Sequence, residues 1–453
     1  MPVELAPLAT PAHKAAPAPY NGSTEPKMNK LCRQLSIESP SLGGRECVFS
    51  FDVPVPEVPT RGARIRVVCA GACYHPKRSG SLTSLNSVSS ASSLATDVSV
   101  EGDFPSMLPH HGMRDAALFP GYEVAGVVES LGSELTEDCG VKLGDRVIMY
   151  PYEGIPNGYV EYLVVHDLKY LIKVPDNMPL SVAAMLPAGA LLAMNTVHAA
   201  HELVQSLLEE RGDNSVCKIL IVGTGGLALW ALRIAAYQYS NMKDRVTITI
   251  ASLKDDGLMM AQEFQRRLSG VWMSRNLHNG RKFTRVSEGL RRKELPDRQL
   301  RPLHLFTGSW YFDYSVNVVQ WSEDLYEKQL IERTMDSCGG QVDVVIDFGT
   351  TSRSLHRSMQ CLGKGGVVFV IKEVADRLLP KFSRRAEERQ QKIQPVEPGS
   401  LEQLRELVQL VGSGEIEPPP HTVYPAEDAL DVVQKLCHSE IQGRAILRFY
   451  PAD

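Results

Sequence analysis

The chain has 453 residues, of which 43% are hydrophobic and 22% are charged, and its formal net charge is -5 at pH 7. This composition is typical of a globular protein of two or three domains and excludes a wholly disordered chain, and the acidic balance gives no reason to expect nucleic acid as the main partner. The nine cysteines lack a Cys-x-x-Cys pair, which indicates reduced thiols in a cytoplasmic protein, and no apolar run has the length of a membrane span or the pattern of a signal peptide.

Residues 1–44 are predicted to be a disordered tail, because Pro, Ala, Ser and Lys dominate them without any periodicity. Arg33 lies three residues before Ser36 in this tail, a context favoured by basophilic kinases, and the alternative interpretation is an unmodified polar tail. After the tail, short strands separated by Gly and Pro turns predict a small β-barrel or sandwich over 45–186. A serine-rich segment at about 78–100 interrupts these strands and is predicted to be a flexible insertion.

The next part of the chain, 187–385, is predicted to form a doubly wound parallel sheet, because apolar strands alternate there with helices. The predicted strands lie at residues 219–222, 246–252, 342–349 and 365–373. A basic segment at about 265–310 breaks this alternation and is interpreted as a solvated loop, with binding to an acidic partner or to nucleic acid as the alternatives. Residues 386–453 hold a polar stretch, a predicted helix and a terminal strand.

A glycine-rich turn follows the first of these strands. It fits the pattern G-x-G-x-x-A with the residues Gly223, Thr224, Gly225, Gly226, Leu227 and Ala228. In such a turn Gly223 permits the tight bend, Gly225 lets the backbone approach a pyrophosphate, and Ala228 lets the next helix pack closely. The first N–H groups and the dipole of that helix would face the anion. The pattern predicts a dinucleotide phosphate site, and a turn without any nucleotide is the alternative.

Several motifs, in this order, resemble the medium-chain dehydrogenase/reductase superfamily, which includes zinc-type alcohol dehydrogenases and quinone reductases. They are FPGYEVAGVVESLGSEL, VKLGDRVIMY, IKVPDNMPLSVAAMLP, the glycine-rich turn, GGQVDVVIDFG, GKGGVVFVI and HTVYPAEDALDVVQKLCHSEIQGRAILRF. The resemblance covers about residues 46–450. It implies an α/β fold in which a GroES-like β-barrel catalytic domain, 45–186 completed by 386–453, adjoins a Rossmann doubly wound parallel sheet, 187–385. The active site would lie in the cleft between them.

The chain departs from this family at the zinc ligands. The positions of the three catalytic ligands read Cys73, Tyr122 and Ala188, and the four-cysteine lobe that binds structural zinc is missing. Because a catalytic zinc needs three protein ligands, we expect no zinc, although Cys73, Glu123 and His75 could in principle rebuild a site. The alternative for Cys73 and Glu123 is a buried thiol and a structural carboxylate.

Without zinc, the resemblance implies an NAD(P)(H)-dependent oxidoreductase of the quinone reductase-like branch, which reduces a carbonyl, enone or quinone. The candidate proton donors near the cleft are Tyr122, His75 and Tyr74. For Tyr122 the alternative is an aromatic side chain that fills the space left by zinc. For His75 the alternative is an exposed histidine beside the serine-rich insertion.

The choice of cofactor depends on the end of the second strand of the parallel sheet. Alignment to the family places Ser252 at the ribose and Lys254 two residues later. A hydroxyl and a cation suit a 2′-phosphate, so NADP(H) is favoured over NAD(H). If the register differs, Asp255 or Asp256 would hold the ribose hydroxyls of NAD.

A second hypothesis is a catalytically inactive, dehydrogenase-like regulatory or interaction protein that binds dinucleotide and is regulated by phosphorylation. It follows from the lost zinc ligands, the two insertions and the Arg33/Ser36 site. The expected partners are a small-molecule substrate, a second copy of the chain as in the family's dimers, or a protein bound through the serine-rich or basic insertion. RNA binding through the basic segment is a third, disfavoured hypothesis.

Overall fold

The computed structural model describes residues 30–37, 47–73, 121–136, 138–152, 158–223, 225–252, 255–268, 316–321, 325–349, 351–437 and 440–450. Within these ranges the strands form a two-stranded, a six-stranded and a seven-stranded sheet. Across the same ranges, no helix is both long enough and apolar enough to cross a membrane.

The seven-stranded sheet forms the barrel. Its strands are β3 (Ala63–Gly71), β4 (Val124–Leu131), β5 (Arg146–Met149), β6 (Tyr162–Val165), β7 (Leu171–Lys173), β14 (His421–Pro425) and β15 (Arg444–Arg448). The order is β14-β15-β3-β4-β5-β7, and β6 pairs with β3. Because β15 pairs antiparallel with β3, the end of the chain completes this sheet. The predicted GroES-like part of the α/β fold is confirmed.

The six-stranded sheet is parallel throughout. Its strands are β8 (Cys217–Val222), β9 (Val246–Ser252), β10 (Val316–Gln320), β11 (Val342–Asp347), β12 (Leu362–Ile371) and β13 (Lys392–Val396). Ile219, Leu220 and Ile221 of β8 are buried because helices cover both faces of the sheet. The predicted Rossmann doubly wound sheet is confirmed.

The order of this sheet is β10-β9-β8-β11-β12-β13, so the chain moves outward from β8 and then returns to its other side. In such sheets ligands bind outside the carboxyl ends of the strands at the point where the order reverses. That point lies between β8 and β11, where the glycine-rich turn begins.

Helices connect these strands and join the two sheets. They are α1 (Leu180–Ala183), α2 (Leu191–Arg211), α3 (Gly226–Gln238), α4 (Asp255–Leu268), α5 (Glu327–Ser337), α6 (Ser352–Cys361), α7 (Lys372–Glu388), α8 (Leu401–Gly412) and α9 (Ala429–Cys437). A π-helical turn, Leu186–Ala190, separates α1 from α2 and lies where the chain passes from the barrel to the parallel sheet.

The structure corrects the predicted disordered tail. Residues 31–37 form β1 (Leu31–Ile37), which pairs antiparallel with β2 (Val48–Pro54) and whose Leu35 N–H donates to the Tyr159 carbonyl at 2.7 Å. The strand forms because the apolar side chains of Cys32, Leu35 and Ile37 are buried, a pattern that composition alone obscures. Residues 1–29 lie outside the described ranges.

The Arg33/Ser36 site lies in this strand. Arg33 Nη1 donates to Glu427 Oε1 at 2.7 Å, and the Arg33 backbone N–H donates to Glu161 Oε2 at 2.8 Å. Ser36 is half-buried in this strand, opposite Phe49 of β2. Phosphorylation of Ser36 stays a prediction.

Two predicted boundaries also shift. Strand β13 pairs with β12, so residues 392–396, expected in the C-terminal barrel segment, belong to the parallel sheet. Residues 265–268, expected at the start of the basic insertion, are the last residues of α4. The remainder of that insertion and the serine-rich segment lie outside the described residues.

Candidate functional site

The glycine-rich turn is tightly packed. Gly223 has a φ of 151°, and a Cβ there would lie 3.0 Å from Ala228 Cβ and 3.3 Å from Phe348 Cβ. Gly225 caps α3, which begins at Gly226. A side chain at Gly223 would therefore separate β8 from the start of α3 and from the end of β11.

The neighbouring strand end holds a buried carboxylate. Phe348 N–H donates to the Val222 carbonyl at 2.8 Å, which places the ends of β8 and β11 side by side. Asp347 accepts hydrogen bonds from Gly349 N at 2.7 Å and from the Ser358 hydroxyl at 2.9 Å. Burial raises the pKa of Asp347 to about 6, while these hydrogen bonds act in the opposite direction.

A buried ion pair from the barrel borders the turn. Arg444, the first residue of β15, donates through Nη2 to Glu123 Oε2, and the two side chains are 13% and 7% exposed. A Cβ on Gly226 would lie 2.8 Å from Arg444 Cδ, so the arginine side chain passes over the first turn of α3. The barrel thus places a cation where the predicted phosphate site lies.

The second oxygen of Glu123 reaches the π-helical turn. Gly189 N–H donates to Glu123 Oε1 at 3.3 Å. A Cβ on Gly189 would lie 3.1 Å from the same oxygen and 3.8 Å from Leu227 Cδ2 in the glycine-rich turn. A π-helical turn often marks a functional site. Here Glu123 joins the barrel, this turn and, through Arg444, the start of α3.

Cys73 is fully buried beside this ion pair. Its Sγ lies 2.9 Å from the hydroxyl of Tyr159, which also donates to the Gly71 carbonyl at 2.8 Å. Burial, and then the charge of Glu123, raise the pKa of the Cys73 thiol to about 11. The thiol is therefore neutral near pH 7, and binding a metal there would have to displace its proton.

The three positions that the family resemblance assigns to zinc ligands converge on Glu123. The charge of Glu123 raises the pKa of Cys73, and Tyr122 is the residue before Glu123 in the chain. Ala188 is the residue before Gly189, whose N–H donates to Glu123. Tyr122 is half-buried and packs against the barrel core. Among the described residues, no group of three His, Cys, Asp or Glu side chains is placed to hold a metal.

The structure describes only some of the other predicted site residues. Ser252 ends β9 as expected, but the residue is only 1% exposed, and its carbonyl accepts a hydrogen bond from Trp321 N at 2.8 Å. The other four predicted site residues lie outside the described residues: Tyr74, His75, Thr224 and Lys254. Their roles stay predictions.

Sequence reasoning missed Arg444. The signal was the segment GRAILRF, which was expected to complete the barrel. Its arginine is the first residue of a strand that pairs with β3 near Gly71. A charged residue at the start of that strand could have been proposed as a neighbour of the glycine-rich turn.

Comparisons with known proteins agree with this arrangement. A family model described as zinc-binding dehydrogenase matches residues 323–447. The chain is 27% identical over 207 residues to the NADP-dependent alcohol dehydrogenase C of Mycobacterium tuberculosis, covering 37% of this chain and 54% of that protein. It is 30% identical over 161 residues to 2-methylene-furan-3-one reductase of Solanum lycopersicum, covering 34% and 38%. The chain spans about half or less of the length of these curated relatives.

Solved structures share the fold over nearly the whole chain. A quinone oxidoreductase from Coxiella burnetii has a TM-score of 0.56 at 15% identity, covering 93% of this chain and 100% of that one. A thermostable alcohol dehydrogenase from Pyrobaculum aerophilum has a TM-score of 0.51 at 20% identity, covering 92% and 100%. At these identities the likeness concerns the fold alone.

The barrel, the parallel sheet and the turn between them define a two-domain protein with a Rossmann-type sheet. The family model and the curated relatives support the medium-chain dehydrogenase/reductase superfamily for this chain.

Proposed function

We propose that this protein is a zinc-independent, NADP(H)-dependent oxidoreductase that reduces a carbonyl, enone or quinone. The observation that carries the proposal is the glycine-rich turn at the point where the strand order reverses. Contacts at Gly223 and Gly226 leave no room there for side chains, and Arg444 adds a cation at the first turn of α3. This combination of bare backbone, helix N-terminus and cation suits a pyrophosphate.

The residues present fit a dinucleotide. Gly225 and Gly226 would offer backbone N–H groups to the phosphates, and Arg444 would add charge if it shared its side chain between Glu123 and the ligand. The sequence assigns Ser252 and Lys254 to the adenosine ribose of the dinucleotide, and Lys254 would supply the cation for a 2′-phosphate. A bound reduced nicotinamide supplies the hydride.

Two named relatives bear on the cofactor in opposite directions. The mycobacterial alcohol dehydrogenases are named NADP-dependent, whereas the acetophenone reductase of Geotrichum candidum, which shares the fold at 16% identity with a TM-score of 0.52, is described in complex with NAD. We give more weight to the mycobacterial names because sequence identity to them is 27% and 28%, and because of Lys254.

Zinc independence is supported by what occupies the ligand positions. The Cys73 thiol is buried and hydrogen-bonded to Tyr159, and Glu123 is already paired with Arg444. Recruiting either as a ligand would require breaking a buried interaction. Ala188 has no ligating group, so at least one further residue would be needed.

The proposed substrate class rests on the names of the relatives and on hydride chemistry that needs no metal. The relatives include proteins named alcohol dehydrogenase, 2-methylene-furan-3-one reductase and trans-enoyl reductase, the last 31% identical over 114 residues. An enone or a carbonyl accepts hydride without a metal if a positioned group stabilises or protonates the oxygen or carbon that gains charge. Tyr122, next to Glu123, is our first candidate for that group, followed by Tyr74 and His75.

We further propose a cytoplasmic location and a homodimer. Eight of the nine cysteines have side chains that the structure describes; all eight are free and seven of them are buried, as expected for a reducing compartment. Chemical cross-linking together with sedimentation would test the dimer.

Titration of metal-analysed protein with NADPH and with NADH, followed by nicotinamide fluorescence, tests the cofactor. We expect tighter binding of NADPH by a protein with less than stoichiometric zinc, followed by turnover with a panel of quinones, enones and aldehydes. Stoichiometric zinc required for turnover would overturn zinc independence. NADPH binding without turnover would favour the regulatory protein, and failure of folded protein to bind either dinucleotide would overturn the proposal.

A further inference from the structure

Helices α6 and α7 form a cationic seam on the parallel-sheet part of the molecule. Arg385 Nη1 of α7 lies 2.9 Å from His356 Nδ1 of α6, and Arg389 Nη1 donates to Gln360 Oε1 at 3.1 Å. Each pair is 29 residues apart in the sequence, so the helices run side by side in the same direction. The two contacts are one helical turn apart, about 6 Å along the seam.

The seam has few counter-charges within the described part of the chain. Glu327, at the start of α5, accepts bidentate hydrogen bonds from Arg357 at 2.7 and 2.6 Å and lies 3.5 Å from Arg353. This one carboxylate thus serves two guanidinium groups of α6. Neither Arg385 nor Arg389 has an acidic partner among the described contacts.

The contact between Arg385 and His356 determines the protonation state of the histidine. A guanidinium can only donate, so His356 Nδ1 accepts and the ring is neutral. The charged groups that act on this histidine are Arg385, Glu327, Arg389 and Arg357, and burial followed by Arg385 lowers its pKa. A neutral histidine takes one donor of Arg385 and does not neutralise its charge.

Charge on the neighbouring strip of α7 is balanced, in contrast to the seam. Arg384 is 90% exposed and pairs with Glu388 at 2.9 Å, one turn further along the same helix. Lys381, one turn before Arg385, is exposed and extends the seam toward the start of α7. The excess positive charge is therefore a property of the seam and not of the whole helix.

We propose that the α6–α7 seam, formed by Arg353, His356, Lys381, Arg385 and Arg389, binds an extended acidic segment of a protein partner. Alternate side chains of an extended chain recur about every 6.6 Å, close to the spacing of the cations along the seam. Arginine forks match carboxylates in geometry as well as charge. The inference is independent of the oxidoreductase proposal.

A nucleic acid fits this surface less well. Phe382, which lies under Arg385 with its ring centroid 6.0 Å from the guanidinium carbon, is buried and offers no face for a base. Single-stranded nucleic acid binding relies on such stacking faces.

The test uses the full chain and a fluorescein-labelled peptide of about ten glutamates, with a glutamine peptide of equal length as the uncharged probe, and measures anisotropy at about 50 and about 200 mM salt. We expect binding of the glutamate peptide only, weakened by salt. Reversal of both seam arginines, R385E/R389E, should weaken it at least about tenfold. The matched control R384E/K435E, which has the same net charge but leaves the seam intact, should stay within about twofold.

Other outcomes overturn the proposal. No binding by the wild type, or equal losses in both double variants, would remove the seam as the site. Tighter binding of single-stranded RNA than of the acidic peptide would reassign it to nucleic acid. If R385E/R389E is unfolded by circular dichroism, the neutral pair R385Q/R389Q replaces it, with a smaller expected loss and the same interpretation.

Discussion

Glu123 and Arg444 lie 321 residues apart in the sequence and form a buried ion pair beside the glycine-rich turn. The pair connects the last strand of the barrel to the start of α3 and to the π-helical turn before α2. It therefore links the two sheets at the site where we propose that the dinucleotide binds.

Replacing Glu123 with Gln should lower the free energy of unfolding by about 3 kcal/mol, because Arg444 would keep a buried charge without its counterion. Urea unfolding followed by the fluorescence of the buried Trp230 and Trp321 measures it. The control Glu388→Gln breaks an exposed ion pair and should cost less than about 1 kcal/mol. Equal losses in the two variants would contradict a special role for the Glu123 pair.

Replacing Gly223 with Ala should weaken NADPH binding by about tenfold or more, which corresponds to about 1.4 kcal/mol. The new Cβ would lie 3.0 Å from Ala228 Cβ, at a φ of 151° that only glycine adopts readily. Gly414→Ala is the control, because Gly414 has a φ of 82° with nothing within 4 Å. It should cost about 1 kcal/mol of stability and leave NADPH affinity unchanged. Unchanged affinity in Gly223→Ala would place the phosphates elsewhere.

Replacing Lys254 with Glu should weaken NADPH binding much more than NADH binding, because the new carboxylate would repel a 2′-phosphate. Fluorescence titrations with both dinucleotides give the two affinities. Lys328→Glu, at a side chain that is 87% exposed on α5, makes the same change in net charge and should alter neither affinity by more than about twofold. Equal losses for NADPH and NADH would refute recognition of the phosphate by Lys254.

Replacing Tyr122 with Phe should lower kcat by about 10²-fold or more without changing NADPH affinity, if the hydroxyl supplies the proton. Steady-state kinetics on the substrate found in screening, together with the fluorescence titration, separates the two effects. Tyr237→Phe removes a hydroxyl that donates to Glu415 at 3.0 Å at the far end of α3 and should leave kcat unchanged. An unaltered kcat in Tyr122→Phe would leave Tyr122 as a packing residue.

Replacing Asp347 with Asn should change how stability depends on pH. The pKa of Asp347 is raised from 3.8 to about 6 in the folded protein, so the folded state binds the proton more tightly than the unfolded chain does. This contribution to stability is complete below about pH 4 and is lost as the pH rises through about 6. Relative to the wild type, Asp347→Asn should therefore gain up to about 3 kcal/mol between pH 4 and pH 7.

Urea unfolding of both proteins at several pH values measures this difference. Asp336→Asn, at an exposed position near the end of α5, is the control. Its difference from the wild type in unfolding free energy should change by less than about 0.5 kcal/mol across the same pH range. A flat difference between wild type and Asp347→Asn would mean that the buried carboxyl is ionised at little cost.

Local features of the sequence determined most of the parallel sheet and the position of the glycine-rich turn. Runs such as Ile219 to Val222 are apolar on both faces, and glycine at position 223 marks a bend that other residues resist. Such signals depend only on a few neighbouring residues, so they can be recognised in the sequence before the fold is known. The family resemblance then supplied the barrel and its completion by the end of the chain.

The tertiary structure decided what depends on distant partners. Residues 31–37 form a strand because they pair with β2 and because the Leu35 N–H donates to the Tyr159 carbonyl. A tail-like composition gives no sign of these partners. From the sequence, Glu123 fits a metal ligand or a structural carboxylate, whereas in the fold it is paired with Arg444 on the last strand. A buried charge is defined by its counterion, and no local pattern specifies a partner 321 residues away.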